Sequence, residues 1–365
     1  MTTEPASGHA AADAARATAD SARTTADAAR ATSPGGARGH RAVVTPGPVL
    51  APGRRPTPGA VSVAPRPTPV FVDAVRAGGA DVVPLGPDTR GLVWLSYRDP
   101  DGLARALDEN PGVEWVQLPY AGVDAFAEVI AARADRALPL WTSAKGAFAE
   151  PVAEHALMLV LSLLRVVPQR VRATSWATEQ QGRSLYGRHV VIVGAGGIAI
   201  ELMRLMAPFD VRVTIVRRSS EPVPGADRTL PVERLDEVLP TADVLVLAAA
   251  ATPGTSGLLD ARRLALLPQA AVLVNVARGS LVDTDSLVDA VRTERLWGAG
   301  VDVTTPEPLP DGHPLFGEPR VIVTPHQADT PEMTAPLLAE RIRHNVRAFL
   351  GDGDFVGVVD PHDGY

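Results

Sequence analysis

Three polar residues in the C-terminal half of the chain each follow a short apolar run. They are Arg278, Glu307 and His326. Runs of this type predict buried parallel strands, and ligands of open α/β sheets bind outside the carboxyl ends of the strands. We therefore expect one guanidinium, one carboxylate and one imidazole to lie close together at one edge of a sheet.

This combination of side chains suits hydride transfer to a 2-oxo acid. An arginine can bind a carboxylate and polarise the adjacent carbonyl group. A histidine can donate a proton to the carbonyl oxygen, and a neighbouring carboxylate favours the charged imidazole and fixes its orientation. Taken singly, each of the three residues is more typical of a solvent-facing loop, and the chemical interpretation depends on their occurring together.

A glycine-rich turn supplies the second reason for this interpretation. The apolar run 190–193 is followed by Gly194, Gly196 and Ala199, and a helical pattern continues to Met206. Strand, glycine turn and helix in this order form a dinucleotide-binding fingerprint, in which phosphates approach the glycine backbone at the positive end of the helix. A chance glycine-rich turn is the alternative, and the fingerprint gains weight from its context.

The elements around these residues predict an α/β protein. Residues 1–58, rich in Ala, Thr, Arg and Pro, are expected to form a disordered extension, or else translation begins nearer Val61. From Ala60 onward, strand and helix patterns alternate. We predict a substrate domain with a flavodoxin-like parallel sheet (residues 59–148 plus 331–365) and a Rossmann-type cofactor domain (149–330).

Composition excludes several classes of protein. Cysteine is absent, which rules out disulfides, thiolate metal sites and a cysteine nucleophile. A net charge of −7 argues against a nucleic-acid partner. No apolar run approaches the length of a membrane span, no secretory signal pattern opens the chain, and no His/Asp/Glu cluster has metal-ligand spacing. We therefore expect a cytoplasmic protein without a metal, a membrane partner or a nucleic-acid partner.

From about Ala60 to the C-terminus, the sequence resembles the D-isomer-specific 2-hydroxyacid dehydrogenases. The motifs that carry the resemblance occur in family order and at family spacing. They are residues 119–124 (PYAGVD), 152–155 (VAEH), 194–199 (GAGGIA), 275–279 (NVARG), Asp302-Val303 with 307–310 (EPLP), and 324–326 (TPH).

The resemblance implies roles for particular residues. Arg278, Glu307 and His326 would form the catalytic set, and the backbone N–H groups of Tyr120, Ala121 and Gly122 would hold the substrate carboxylate. Asp302 would contact the nicotinamide carboxamide. Further cofactor-binding positions would be Gly194, Gly196, Gly197, Ile198, Thr252 and Ala277. The family fold has two α/β domains with the active site in the cleft, and its members are usually homodimers.

One departure from the family pattern bears on the cofactor. NAD-preferring members carry an acidic residue at the end of the strand after the fingerprint, whereas this chain has Arg217 and Arg218 there. Two guanidinium groups would attract a 2′-phosphate, so NADP(H) is favoured over NAD(H), as in glyoxylate and hydroxypyruvate reductases. The alternative is that both arginines merely face solvent.

The sequence thus predicts an NADPH-dependent reductase of small 2-oxo acids. Two other functions stay open. One is a dinucleotide-sensing scaffold without catalytic activity, since related transcriptional corepressors can keep the same three side chains. The other is a dehydrogenase of an unusual acid, phosphorylated or phosphonate, in a specialised pathway.

Overall fold

A computed structural model describes residue 50, residues 53–176 and residues 178–361. The extension predicted over residues 1–58 lies mostly outside this part of the chain, so its disorder stays a prediction. The described residues belong to one compact unit. Within them, no helix is both long enough and apolar enough to cross a bilayer.

The first half of the described chain forms a four-stranded parallel sheet in the order β1-β2-β3-β4. The strands are β1 (Ala60–Ala64), β2 (Thr89–Trp94), β3 (Trp115–Gln117) and β4 (Leu140–Thr142). Val82 adds a single parallel bridge outside β1, and Val358 an antiparallel bridge outside β4. If the Val82 segment is counted as an edge strand next to β1, the order of the strands across the sheet is that of flavodoxin-like sheets. The sequence pattern of residues 81–85 predicts an extended stretch, whereas the structure has only this one bridge at Val82.

Short helices connect these strands. They are α1 (Pro69–Ala77), α2 (Pro100–Glu109) and α3 (Ala127–Ala131). The Asp99 carboxylate accepts a hydrogen bond from the Gly102 N–H and so caps α2. The sequence pattern of residues 123–132 predicts a single helix, whereas the structure has a 3₁₀ turn (Asp124–Phe126) followed by α3.

The second half forms a seven-stranded parallel sheet in the order β11-β10-β9-β8-β5-β6-β7. Its strands are β5 (His189–Val193), β6 (Arg212–Arg217), β7 (Arg228–Pro231), β8 (Val244–Leu247), β9 (Val272–Asn275), β10 (Gly298–Val301) and β11 (Val321–Val323). The strand order reverses between β5 and β8, which is where this type of sheet binds dinucleotides. The predicted α/β fold with two parallel sheets is confirmed, whereas the boundary between the two domains at residue 148 stays a prediction.

Eight further α-helices lie in this half of the described residues. They are α4 (Ala149–Leu164), α5 (Val167–Val171), α6 (Gly197–Met206), α7 (Leu235–Val238), α8 (Ala261–Leu266), α9 (Thr284–Arg292), α10 (Pro314–Gly317) and α11 (Pro331–Phe349). Helix α4 packs on α6 and on β9, β10 and β11, and α11 packs on α1. The closing helix therefore returns to the first sheet, as the sequence predicts.

Strand β7 was not predicted, because its sequence, Arg-Thr-Leu-Pro, carries little apolar signal. Only Leu230 is buried in it. The strand lies at the edge of the sheet, and the carboxylate of Asp227 just before it accepts a hydrogen bond from the Val213 N–H (2.7 Å). Edge strands bury one face at most, so the period of their apolar residues is weak.

His189, at the start of β5, should make stability depend on pH. Its Nδ1–H donates to the Thr241 carbonyl and its Nε2 lies 2.9 Å from the Thr214 hydroxyl. Burial lowers the pKa of His189 below 6.5. The unfolded chain therefore binds a proton at a higher pH than the folded chain, and the free energy of unfolding falls as the pH drops from 7 through the lowered pKa.

Urea denaturation at several pH values checks this expectation against His189→Gln. One proton contributes at most about 1.4 kcal/mol per pH unit. The wild-type chain should lose more stability between pH 7 and pH 5 than the variant does. Parallel pH dependence of the two proteins would contradict this assignment.

Candidate active site

The glycine turn after β5 has the geometry that a bound pyrophosphate requires. Gly194 has φ +117°, and a Cβ there would lie 2.4 Å from the Ala248 carbonyl oxygen, so no side chain fits. Gly196 is exposed, and a Cβ there would meet nothing within 4 Å. The backbone is thus open to a phosphate group at the N-terminus of the ten-residue helix α6. The partly buried Gly197 and Ile198 start that helix, so the fingerprint residues fit a dinucleotide.

Arg217 and Arg218 lie beside this turn. The Gly194 N–H donates to the Val216 carbonyl (2.7 Å), which places the end of β6 next to the turn. Arg217 is half-buried and Arg218 is exposed. Lys145, the only lysine in the chain, is near enough for the charge of Arg218 to lower the pKa of its ammonium group, after the larger effect of desolvation. The sequence alone indicates no role for this third cation.

Arg278 is held against the predicted substrate loop. Its Nε and Nη2 donate to one carboxylate oxygen of Asp124, at 3.1 and 2.9 Å. A Cβ added to Gly122 would lie only 1.7 Å from Nη2, so the guanidinium is in contact with this glycine. Two sequence predictions, Arg278 and the loop 120–122, are therefore brought together. Asp124 is the link, and sequence analysis assigned it no function.

The loop 120–122 uses its carbonyl groups and its N–H groups differently. Its carbonyl groups are used inside the protein, since Tyr120 accepts from the Ala144 N–H (3.0 Å) and Ala121 from the Ser143 hydroxyl (3.4 Å). Within the described part of the chain, the N–H groups of the three loop residues make no hydrogen bond to protein. This arrangement fits the carboxylate-binding role that sequence analysis proposed.

His326 and Glu307 are in direct contact. The His326 Nδ1 lies 2.5 Å from the Glu307 Oε1, and both side chains are about half exposed. A carboxylate only accepts, so Nδ1 carries the hydrogen and Nε2 is left to exchange a proton with a ligand. The geometry thus fits a general acid with an orienting carboxylate.

Asp302 lies behind His326. Its side chain is 2% exposed and accepts hydrogen bonds from the Thr324 hydroxyl (2.7 Å) and the Gln327 N–H (2.9 Å). Its own carbonyl accepts from the His326 N–H (2.7 Å). The observed bonds of Asp302 therefore fasten the loop that carries His326. The contact to a nicotinamide carboxamide stays a prediction.

The remaining predicted cofactor residues lie in loops after β8 and β9. The Thr252 hydroxyl is half-buried and 3.2 Å from the Thr255 hydroxyl. Ala277 is buried, its N–H donates to Asn275 Oδ1 (3.0 Å) and its carbonyl accepts from Arg278 Nη1 (2.8 Å). Both lie at the expected edge of the sheet, and their contacts with a cofactor stay predictions.

Tyr97 is a further residue of this site that sequence analysis missed. It lies after β2, and its ring packs edge-on against Tyr120, with centroids 5.2 Å apart. Burial and the negative charge of Asp124 raise the pKa of its phenol, and Arg278 and Glu307 also act on it. Tyr97 thus lies near both Arg278 and Glu307. A tyrosine after a strand carries no motif, so only the fold reveals it.

Comparison with known proteins places the chain in a family. Residues 156–328 match the family model of the D-isomer specific 2-hydroxyacid dehydrogenase, NAD binding domain. An uncharacterized protein from Corynebacterium melassecola is 36% identical over 266 residues, which is 71% of this chain and 85% of that protein. The chain belongs to the D-isomer-specific 2-hydroxyacid dehydrogenase family. Its members are oxidoreductases that act on CH–OH donors and bind a nicotinamide dinucleotide.

Two other members of the dehydrogenase family illustrate the similarity. A D-isomer specific 2-hydroxyacid dehydrogenase from Xanthobacter autotrophicus Py2, solved with NADPH and MES, is 27% identical with a TM-score of 0.72, and the match covers 85% of this chain and all of that one. The human glyoxylate reductase/hydroxypyruvate reductase is 30% identical over 209 residues, which is 55% of this chain and 64% of the human protein.

Across residues 50, 53–176 and 178–361, no group of three or more His, Cys, Asp or Glu side chains could hold a metal ion.

Proposed function

We propose that this dehydrogenase is an NADPH-dependent reductase that converts a small 2-oxo acid into its D-2-hydroxy acid. The observation that carries the proposal is the arrangement of Arg278 on Gly122 together with the His326–Glu307 pair at the edge of the sheet that holds the open glycine turn. Action in the cytoplasm stays a prediction from the sequence.

The residues of the chain account for binding and proton transfer. Arg278 and the N–H groups of 120–122 bind the substrate carboxylate, and Arg278 polarises the 2-oxo group. The reduced nicotinamide, when bound, supplies the hydride that reaches C2. His326 gives the proton on Nε2 to the oxygen as the C=O double bond becomes a single bond, and Glu307 stabilises the imidazolium before transfer.

The preference for NADPH rests on the charges beside the glycine turn. Arg217, Arg218 and Lys145 place three cations at the edge where an adenosine ribose would lie, and residues 216–220 contain no carboxylate to bond a ribose 2′-hydroxyl. A 2′-phosphate matches these charges. The NADPH bound by the Xanthobacter relative supports the same choice.

A spectrophotometric assay tests the proposal. NADPH and NADH are each supplied with glyoxylate, hydroxypyruvate, pyruvate or longer 2-oxo acids, and loss of absorbance by the reduced nicotinamide is followed. Faster oxidation of NADPH with one of these acids is expected. If no acid is turned over although NADPH binds by calorimetry, the proposal fails. Oxidation of phosphorylated or phosphonate acids would then support an unusual dehydrogenase, and capture of a partner peptide would support the scaffold.

The contact between Gly122 and Arg278 gives a sharp mutational test. In Gly122→Ala the new Cβ must displace the guanidinium by more than 1 Å, and a shift of this size costs about 100-fold in kcat/KM. Stability should change by no more than about 0.5 kcal/mol, because only the end of a flexible side chain has to move. Gly317→Ala is the matched control, since a Cβ there meets nothing within 4 Å. Equal activity of the two variants would contradict the role of Arg278.

We also propose that the protein forms a homodimer through the region of α4 and α5. Large apolar side chains are exposed there, with Trp176 at 95% and Val171 at 74% of their full accessible surface, and Met158 on α4 is exposed as well. Sedimentation velocity should give twice the 38.2 kDa mass of one chain. Trp176→Asp should raise the dimer dissociation constant at least about 30-fold, because buried tryptophans dominate such interfaces. A monomeric wild-type protein would disprove the dimer.

A further inference from the structure

His155 lies in a buried region behind the candidate active site. It stands in the second turn of α4, and its side chain is 14% exposed. Its Nε2 lies 2.9 Å from the Thr324 hydroxyl oxygen and 3.7 Å from Asp302 Oδ1. A buried histidine with satisfied hydrogen bonds is most simply a core residue. The identity of its partners suggests more, because Thr324 and Asp302 belong to the structure that supports His326.

The directions of the hydrogen bonds around Thr324 are fixed by chemistry. The Thr324 hydroxyl has one hydrogen, and the Asp302 carboxylate 2.7 Å away can only accept it. Toward His155 the same oxygen must therefore accept, so the His155 Nε2 carries a hydrogen and donates it. Burial lowers the pKa of His155, against the opposing effect of Asp302, so the ring is the neutral Nε2–H tautomer at neutral pH.

From Asp302 the chain of hydrogen bonds continues to the backbone of His326 and of the two residues that follow it. The carboxylate accepts from the N–H groups of Gln327 and Ala328, at 2.9 and 3.3 Å, and the carbonyl accepts from the His326 N–H. His326 has φ +52°, in the left-handed region that non-glycine residues rarely adopt. Such a conformation persists only where surrounding bonds hold it.

We propose that His155 is a positioning residue for His326, acting through the hydrogen-bonded chain His155–Thr324–Asp302. The donor on α4 fixes the Thr324 hydroxyl, the hydroxyl fixes the Asp302 carboxylate, and the carboxylate holds the left-handed backbone that directs the imidazole to Glu307. His155 touches neither substrate nor reacting atoms. The proposal rests on the proposed function, in which His326 donates the proton.

Three variants of the full-length protein test the proposal. His155→Leu removes the donor, and His155→Gln keeps an N–H near the position of Nε2. His189→Leu is the matched control, because His189 makes a bond of equal length, 2.9 Å, to the Thr214 hydroxyl at the opposite end of the same sheet. Thermal unfolding of each variant measures the purely structural cost.

The kinetic readout separates positioning from substrate binding. We expect His155→Leu to lower kcat about 10- to 100-fold, since small displacements of a catalytic group have effects of this size. KM should stay within threefold, because Arg278 and Gly122 lie outside the hydrogen-bonded chain. His155→Gln should recover kcat to within fivefold of the wild-type value, and His189→Leu should leave kcat unchanged. A kcat within twofold of wild type in His155→Leu, or an equal loss in His189→Leu, overturns the proposal.

A second readout needs no turnover. Ring ¹⁵N NMR at pH 8.5, with His326 assigned by its absence in His326→Gln, reports which ring nitrogen carries the hydrogen. Wild type and His189→Leu should show the Nδ1–H form held by Glu307, whereas His155→Leu should shift toward the Nε2–H form. An unchanged tautomer in His155→Leu overturns the proposal. If the wild type reduces no 2-oxo acid, the proposed function fails while this measurement still decides the role of His155.

Thr324→Val tests the same chain of hydrogen bonds if His155→Leu does not fold. It removes the hydroxyl with little change in shape, and should have the same effects on kcat and on the tautomer. The double variant His155→Leu/Thr324→Val should have a kcat no lower than that of the worse single variant, because both substitutions break the same chain of hydrogen bonds. If the losses of kcat in the two single variants instead multiply in the double variant, His155 and Thr324 have independent roles and the proposal is overturned.

Discussion

Replacing His326 with glutamine is expected to lower kcat for reduction of the best 2-oxo acid by about 100- to 10,000-fold, the usual contribution of a positioned general acid. Glutamine has nearly the same reach but no proton to give at neutral pH. The dissociation constant of NADPH should change by less than threefold, because the His326 side chain contacts Glu307 and neither residue belongs to the glycine turn that is proposed to bind the cofactor.

Stopped-flow reduction and calorimetry together check this result. The kcat of Glu307→Gln should fall between those of wild type and His326→Gln. The amide oxygen can still accept a hydrogen bond from Nδ1–H but no longer stabilises the imidazolium. Near-normal turnover by His326→Gln would remove His326 from the proton-donating role. A large loss of NADPH affinity would mean that the substitution disturbs the cofactor site as well.

Replacing Arg217 and Arg218 together with serine is expected to weaken NADPH binding about 100- to 1,000-fold and NADH binding less than threefold. Hydrogen bonds between charged partners contribute roughly 1.5–3 kcal/mol each, and only NADPH carries the phosphate that would make them. Arg217 ends β6 and Arg218 follows it, so both side chains begin beside the glycine turn.

Calorimetric titration of both dinucleotides measures the difference. Arg212→Ser is the matched control, because Arg212 is an exposed arginine at the other end of the same strand. It should change neither affinity. Equal losses for NADPH and NADH in the double variant would contradict recognition of the 2′-phosphate, and unchanged affinities would mean that both arginines face solvent.

The sequence predicted most of the elements, for identifiable reasons. Strands such as Val244–Leu247 are buried on both faces, so they are continuous apolar runs that cannot be mistaken for loops. The turn at Gly194 is equally easy to predict, because its φ of +117° and its contact with the Ala248 carbonyl require glycine. Local constraints of this kind depend on residues that are adjacent in the sequence.

The partners of the site residues could not be predicted in this way. Asp124 binds Arg278 across 154 positions of the chain, and His155 binds Thr324 across 169. Neither pair has a fixed spacing, because each depends on how two separate elements pack. The sequence thus predicted Arg278, Glu307 and His326 as a group, but the side chains that orient them became visible only in the fold.

The Asp124–Arg278 pair also constrains how this protein can be recombined with its relatives. Asp124 belongs to the part of the chain with the first sheet, and Arg278 follows a strand of the second. A chimera that takes the part with the first sheet from a homologue without a carboxylate at position 124 would have Arg278 without its counter-ion. Shuffled libraries should therefore yield active members mainly where both positions come from one parent.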